Sequence, residues 1–136
     1  MADKVKLELV TPSRLLLETE TDMVVVPGGD GDFGVLPGHA PLLSTLRPGT
    51  LAVYEDDAVS ERLFVAGGFA EVGDNRCVVL AEEALPVAEI TAEMVTERLK
   101  DAREKVAAAE TDKEKEDAER GLKIAEALEA GREASA

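Results

Sequence analysis

All six prolines and nine of the eleven glycines of this 136-residue chain lie before Thr91. Proline removes a backbone donor and fixes φ, and glycine weakens a helix interior by about 1 kcal/mol. A long helix cannot run through the first 90 residues, and little opposes one in the last 46. Charge shifts with texture. Residues 1–90 carry 16 carboxylates against 6 Lys and Arg, and residues 91–136 carry 13 against 9. The composition therefore predicts two domains, a β-domain over 1–88 and a helical one over 89–136.

Within the first part, short apolar runs alternate with turn signals. Lys4 to Leu9 places Val5, Leu7 and Leu9 on one face of a strand. Met23–Val26 is a β-branched run stopped by Pro27-Gly28-Gly29, and Thr50–Glu55 ends at Asp56-Asp57. Arg62–Ala66 stops at Gly67-Gly68, and Phe69–Val72 and Arg76–Glu82 flank the turn Gly73-Asp74-Asn75. Such spacing predicts an antiparallel β-sandwich or flattened barrel.

The second part reads as an antiparallel two-helix hairpin. Thr91 is placed as an N-cap, with Ile90 and Val95 as its hydrophobic staple. Val95, Leu99, Ala102, Val106 and Ala109 repeat at 4-3-4-3 spacing. Thr111 with Glu114 forms a capping box that opens the second helix, whose apolar positions are Ala118, Leu122, Ala125 and Leu128. Gly131 is placed as its C-cap. Both stripes are thin and rich in Ala, so the pair is marginal alone. It is either a solvated hairpin or a mobile arm that contacts another protein.

Composition excludes several functions. With a formal charge of −14, the surface repels phosphate backbones and anionic membranes, so nucleic acid is not expected as a ligand. One Cys and one His rule out an internal disulfide, a Cys cluster and a multi-His metal site. No Trp and four Phe and Tyr leave few stacking platforms for sugars or single strands. The amino terminus lacks the apolar stretch of a secretory signal, and no apolar run approaches the ~18–20 residues of a membrane span. A soluble chain is expected, held at any membrane by a partner.

Few residues are candidates for chemistry. The stretch Val26 to Gly34 is glycine-rich, but it has no Gly-Lys-Ser/Thr ending and carries Asp30 and Asp32 where a phosphate would lie. Its spacing does not match a calcium loop. It is either a tight acidic turn or an acidic loop that docks on a partner. His39 lies in Pro37-Gly38-His39-Ala40-Pro41 with no nucleophile beside it, which leaves a structural or an interface role. Cys77 sits in a strand as a small buried hydrophobe. The carboxylates could form a glycosidase-like pair, but the aromatic walls for a sugar are missing.

The motifs go further than composition. Val24-Val25-Val26-Pro27-Gly28-Gly29-Asp30-Gly31-Asp32-Phe33-Gly34-Val35-Leu36-Pro37-Gly38-His39-Ala40-Pro41-Leu42-Leu43 resembles the signature of the epsilon subunit of bacterial F-type ATP synthases. So do Leu46-Arg47-Pro48-Gly49, Phe64 to Val72, and Val79-Leu80-Ala81-Glu82. The resemblance covers nearly the whole chain. It implies a non-catalytic rotor subunit of the central stalk, without cofactor or metal. The sandwich would bind the gamma subunit and sit on the ring of c subunits. The hairpin would lie on the sandwich or extend towards the alpha and beta catalytic subunits, where it can restrain ATP hydrolysis. Membrane association would be indirect, at the cytoplasmic side of a bacterial inner membrane.

The resemblance also implies site residues. Asp30, Gly31, Asp32 and Phe33 match the loop that touches the c ring, and His39, Ala40 and Pro41 match a stretch near gamma and the ring. Some members bind ATP through Ile or Leu, Asp, two free positions, Arg and Ala at the start of the hairpin. Here Thr91 stands at the Asp position and Met94 at the Arg position, so weak or no ATP binding is expected. A free-standing acidic binding module of the same architecture is the alternative function.

Overall fold

The computed structural model describes residues 3–134. Eight strands come first: β1 Val5–Thr11, β2 Arg14–Thr21, β3 Met23–Gly28, β4 Gly31–Val35, β5 Leu42–Thr45, β6 Gly49–Glu55, β7 Ala58–Gly73 and β8 Arg76–Pro86. A 3₁₀ turn, Val87–Glu89, leads into α1 Ala92–Ala108 and α2 Asp112–Ala134. The chain divides into two compact units, one ending at Pro86 and the other beginning at Val87.

Hydrogen bonds order the strands β2-β1-β8-β7-β6-β3-β4, with β5 also on β7. The pairings are antiparallel except β1 with β8, where Lys6–Val10 runs parallel to Arg76–Leu80. β7 serves both layers of the sandwich. Its first half pairs with β6, from Ala58 to Val65, and its second half pairs with β5, from Phe69 to Val72. The two layers close on Val5, Leu7 and Leu9 of β1, Val24 and Val26 of β3, Leu51 and Val53 of β6, and Cys77 and Val79 of β8. The inward positions alternate along each strand, as burial of one sheet face requires.

Three strands go beyond the sequence expectation. β2 and β5 are edge segments without alternation, and β4 covers Gly31, Asp32 and Phe33, which the sequence places in a loop. Gly67-Gly68 does not end a strand. It sits inside the 16-residue β7 with φ of 72° and 101°. A Cβ on Gly68 would lie 1.8 Å from the Leu80 carbonyl oxygen, so only glycine lets β7 bend against β8 there. The tight turns at Asp56-Asp57 and Asp74-Asn75 have positive φ at both central residues, the type I′ geometry that matches strand twist.

In the second unit, α1 and α2 pack on each other across the short link Ala109–Thr111. Val95, Leu99 and Ala102 of α1 are buried, as are Ala118, Ala125 and Leu128 of α2. The Thr111 hydroxyl accepts from the Glu114 amide at 3.1 Å and donates to its carboxylate at 3.0 Å. Gly131 is not a C-cap. It is buried within α2, which continues through the good helix formers Arg132, Glu133 and Ala134.

Candidate functional site

The first candidate is the tip of the β3–β4 hairpin. Pro27 pairs with Asp32 and Gly28 with Gly31, leaving Gly29 and Asp30 as the turn. Gly31 has φ of 137°, a conformation that side-chain-bearing residues rarely adopt. Asp30 is exposed at the tip. Phe33 points the other way, half-buried against the core.

Arg47 braces this hairpin from the segment between β5 and β6. Its amide donates to the Pro27 carbonyl at 3.0 Å, and its Nη1 donates to the Gly28 carbonyl at 2.8 Å. Its Nη2 donates to Asp32 Oδ1 at 2.5 Å. The Gly29 amide donates to Thr45 O at 2.9 Å, and the Leu46 amide to Gly68 O at 3.0 Å, which ties the same segment to β7. Sequence reasoning notes Arg47 only as part of a motif. Its role depends on a contact over 15 residues that no local pattern encodes.

The second candidate is the loop after β4. The His39 amide donates to Leu36 O at 3.1 Å, and Gly38, with φ of 81°, donates its amide to Asn75 Oδ1 at 2.5 Å. Asn75 thereby fixes the loop to the β7–β8 turn. His39 Nδ1 lies 2.7 Å from Ala40 O. A carbonyl only accepts, so Nδ1 carries the hydrogen. Ala40 and Pro41 are exposed. Gly31, Asp32 and Phe33 lie in β4 itself, and His39–Pro41 lie in the loop between β4 and β5.

The third candidate is the start of α1. The Thr91 hydroxyl accepts from the Met94 amide at 3.1 Å, and the Thr91 amide donates to Met94 Sδ at 3.4 Å. Cys77 is buried, and burial pushes its thiol up to about 12.

A further surface lies outside the sequence expectation. Leu15 pairs with Val10, Val10 with Leu80, and Leu80 with Phe69. Paired residues share a face, so this is a row across four strands on the outer side of the sheet. Leu15, Leu80 and Phe69 are each about half exposed, at 49%, 48% and 51%. Val10, Phe69 and Leu80, with Pro12, line a shallow apolar depression.

By architecture this is a β-sandwich protein with a carboxy-terminal helical hairpin. The family described as ATP synthase, Delta/Epsilon chain, beta-sandwich domain matches residues 4–87. The ATP synthase epsilon chain of Paramagnetospirillum magneticum is 51% identical over 96% of this chain and 98% of its own length. That of Rhodospirillum rubrum is 51% identical over 97% and 98%. A chain in the structure of the Euglena gracilis mitochondrial ATP synthase superimposes with a TM-score of 0.80 at 28% identity, covering 96% of this chain and 82% of that one. The chain belongs to the ATP synthase delta/epsilon family and is a stalk subunit of an ATP synthase. The free-standing module is not favoured. No helix among the described residues is long and apolar enough to cross a membrane.

Proposed function

We propose that this chain couples rotation of the central stalk to the membrane sector of a bacterial proton-driven ATP synthase as a non-catalytic docking subunit. The observation that carries the reading is the outward apolar row Leu15–Val10–Leu80–Phe69 on a chain of net charge −14. A contiguous exposed apolar strip on so polar a chain fits a protein–protein interface. We assign this row to the gamma subunit, and the loop His39–Pro41 to gamma or the c ring.

The hairpin tip, residues Asp30 to Phe33, is assigned to the c ring. Its carboxylates would set register against basic or amide groups of the ring. The helical hairpin is the regulatory arm towards the alpha and beta subunits. Its thin seam supports this, because Ala-rich burial contributes little to holding two helices in one arrangement.

The one Cys is buried with its thiol far from ionisation at neutral pH, which supports the non-catalytic reading. Thr91 and Met94 are engaged in capping α1, which supports the expectation of weak or no ATP binding. The chain would lie at the cytoplasmic face of the plasma membrane, held there through the complex.

Calorimetric titration of the full-length chain with purified gamma subunit tests the reading. The double substitution Phe69→Asp with Leu80→Asp should weaken binding at least tenfold while leaving the melting temperature within a few degrees. Unchanged affinity would move the gamma interface elsewhere.

A further inference from the structure

The helical unit is not held evenly along its length. At its base α2 packs on the 3₁₀ turn as well as on α1. Val87 of that turn and Ile90 beside it are buried, as are Leu128 and Gly131 of α2. The end near the link is bare. From Arg103 to Asp117 no residue is buried, and only Val106 and Ala109 are half-buried. Within α2, residues 112–120 contribute one buried side chain, Ala118. Local bonds hold this stretch helical instead: the Thr111–Glu114 capping box, and Arg120 with Glu116 at 3.7 Å and Asp117 at 3.5 Å. Exposed pairs of this kind contribute little.

Gly121 lies at the boundary between the bare stretch and the packed one. A Cβ there would meet nothing within 4 Å, so packing does not demand glycine. Relative to alanine, glycine in a helix interior favours the open chain about fivefold. Local opening follows the loss of buried contacts, so the bare stretch opens before the base does. We infer that α2 is built in two parts: residues 112–120 unwind from the link in a local opening that stops at Gly121, while the base stays closed on the 3₁₀ turn. The opening turns the short link 109–111 into a flexible segment over 109–121. This deepens the regulatory-arm reading and rests on it for its use, because the freed segment is then the part of the arm that reaches the alpha and beta subunits.

Hydrogen exchange of the full-length chain, read amide by amide in NMR spectra, tests the opening. Amides 116–120 should exchange at least tenfold faster than amides 126–131. Gly121→Ala should slow exchange at 116–120 about fivefold. Ala125 is buried in the base, so Ala125→Gly should speed exchange at 126–131 about fivefold or more and leave 116–120 unchanged. Equal acceleration of both segments by Ala125→Gly means that α2 opens in one piece, and overturns the inference. A Gly121→Ala chain whose 116–120 amides keep their original rates overturns it too.

The use of the opening is read in membranes carrying the whole complex. With Gly121→Ala holding the segment shut, ATP hydrolysis should run at least twofold faster. The expected exchange pattern with an unchanged hydrolysis rate removes the restraint of hydrolysis from the proposed function and leaves the opening in place.

Discussion

Thr91 and Met94 cap the first helix for each other: the Thr91 hydroxyl accepts the Met94 amide, and the Met94 thioether accepts the Thr91 amide. These are the two positions at which the nucleotide motif of some relatives would place Asp and Arg. The methionine brings no charge to a phosphate, and Glu93 between them adds a negative one. Calorimetry of the full-length chain with ATP should show no micromolar binding. Micromolar affinity would contradict this account of the cap.

Thr91→Ala should destabilise the helical unit by about 1 kcal/mol, the usual cost of losing an N-cap side chain. Helical circular dichroism should fall on warming before the β signal does. Asp at the same position also caps, so Thr91→Asp should leave the melt nearly unchanged.

Gly68→Ala should be far more damaging. The new Cβ would meet the Leu80 carbonyl carbon and oxygen, and the backbone there has φ of 101°. Neither backbone can retreat without breaking the β7–β8 ladder. A loss of about 3 kcal/mol or more is expected in a denaturant melt, or failure to fold.

Much of this architecture is legible from the sequence where burial imposes a period. Val5, Leu7 and Leu9 alternate because one face of β1 is wholly buried. The Thr111–Glu114 signal is local and needs no tertiary partner. β2 carries Leu15, Leu16 and Leu17 in succession, so alternation cannot find it. β4 is interrupted by Gly34, and Gly67-Gly68 reads as a stop although it is a bend. The contacts that shape the candidate sites, Arg47 to Asp32 and Asn75 to Gly38, span 15 and 37 residues. Only the folded sheet brings them together.

Asp22 gives the sandwich an acid-sensitive corner. Lys4 donates to it at 2.6 Å and to Glu55 at 3.1 Å, and the Asp56 amide donates to it at 2.7 Å. The Lys4 hydrogen bond, then the Asp56 amide, holds the Asp22 carboxyl below its ordinary range, and Asp22 first, then Glu55, holds Lys4 above its own. A depressed carboxylate stabilises the fold above its unfolded pKa and loses that contribution as pH falls through the folded one. The difference in melting temperature between the unaltered chain and Asp22→Asn should therefore be constant from about pH 5 to 9 and shrink below about pH 4. A difference that persists undiminished at pH 2 would contradict this.

Cys77 should resist alkylation. Its thiol is buried and pushed up to about 12, so iodoacetamide at pH 8 should modify the native chain only as fast as it unfolds. Denaturant should restore full reactivity, as mass spectrometry would show.

The most direct test of the account is recovery of the complex from native membranes with the tagged full-length chain. The unaltered chain should bring down the gamma subunit together with catalytic subunits. The Phe69→Asp, Leu80→Asp chain, folded to the same melting temperature, should bring down neither. Recovery of no synthase subunit by the unaltered chain would contradict the central claim.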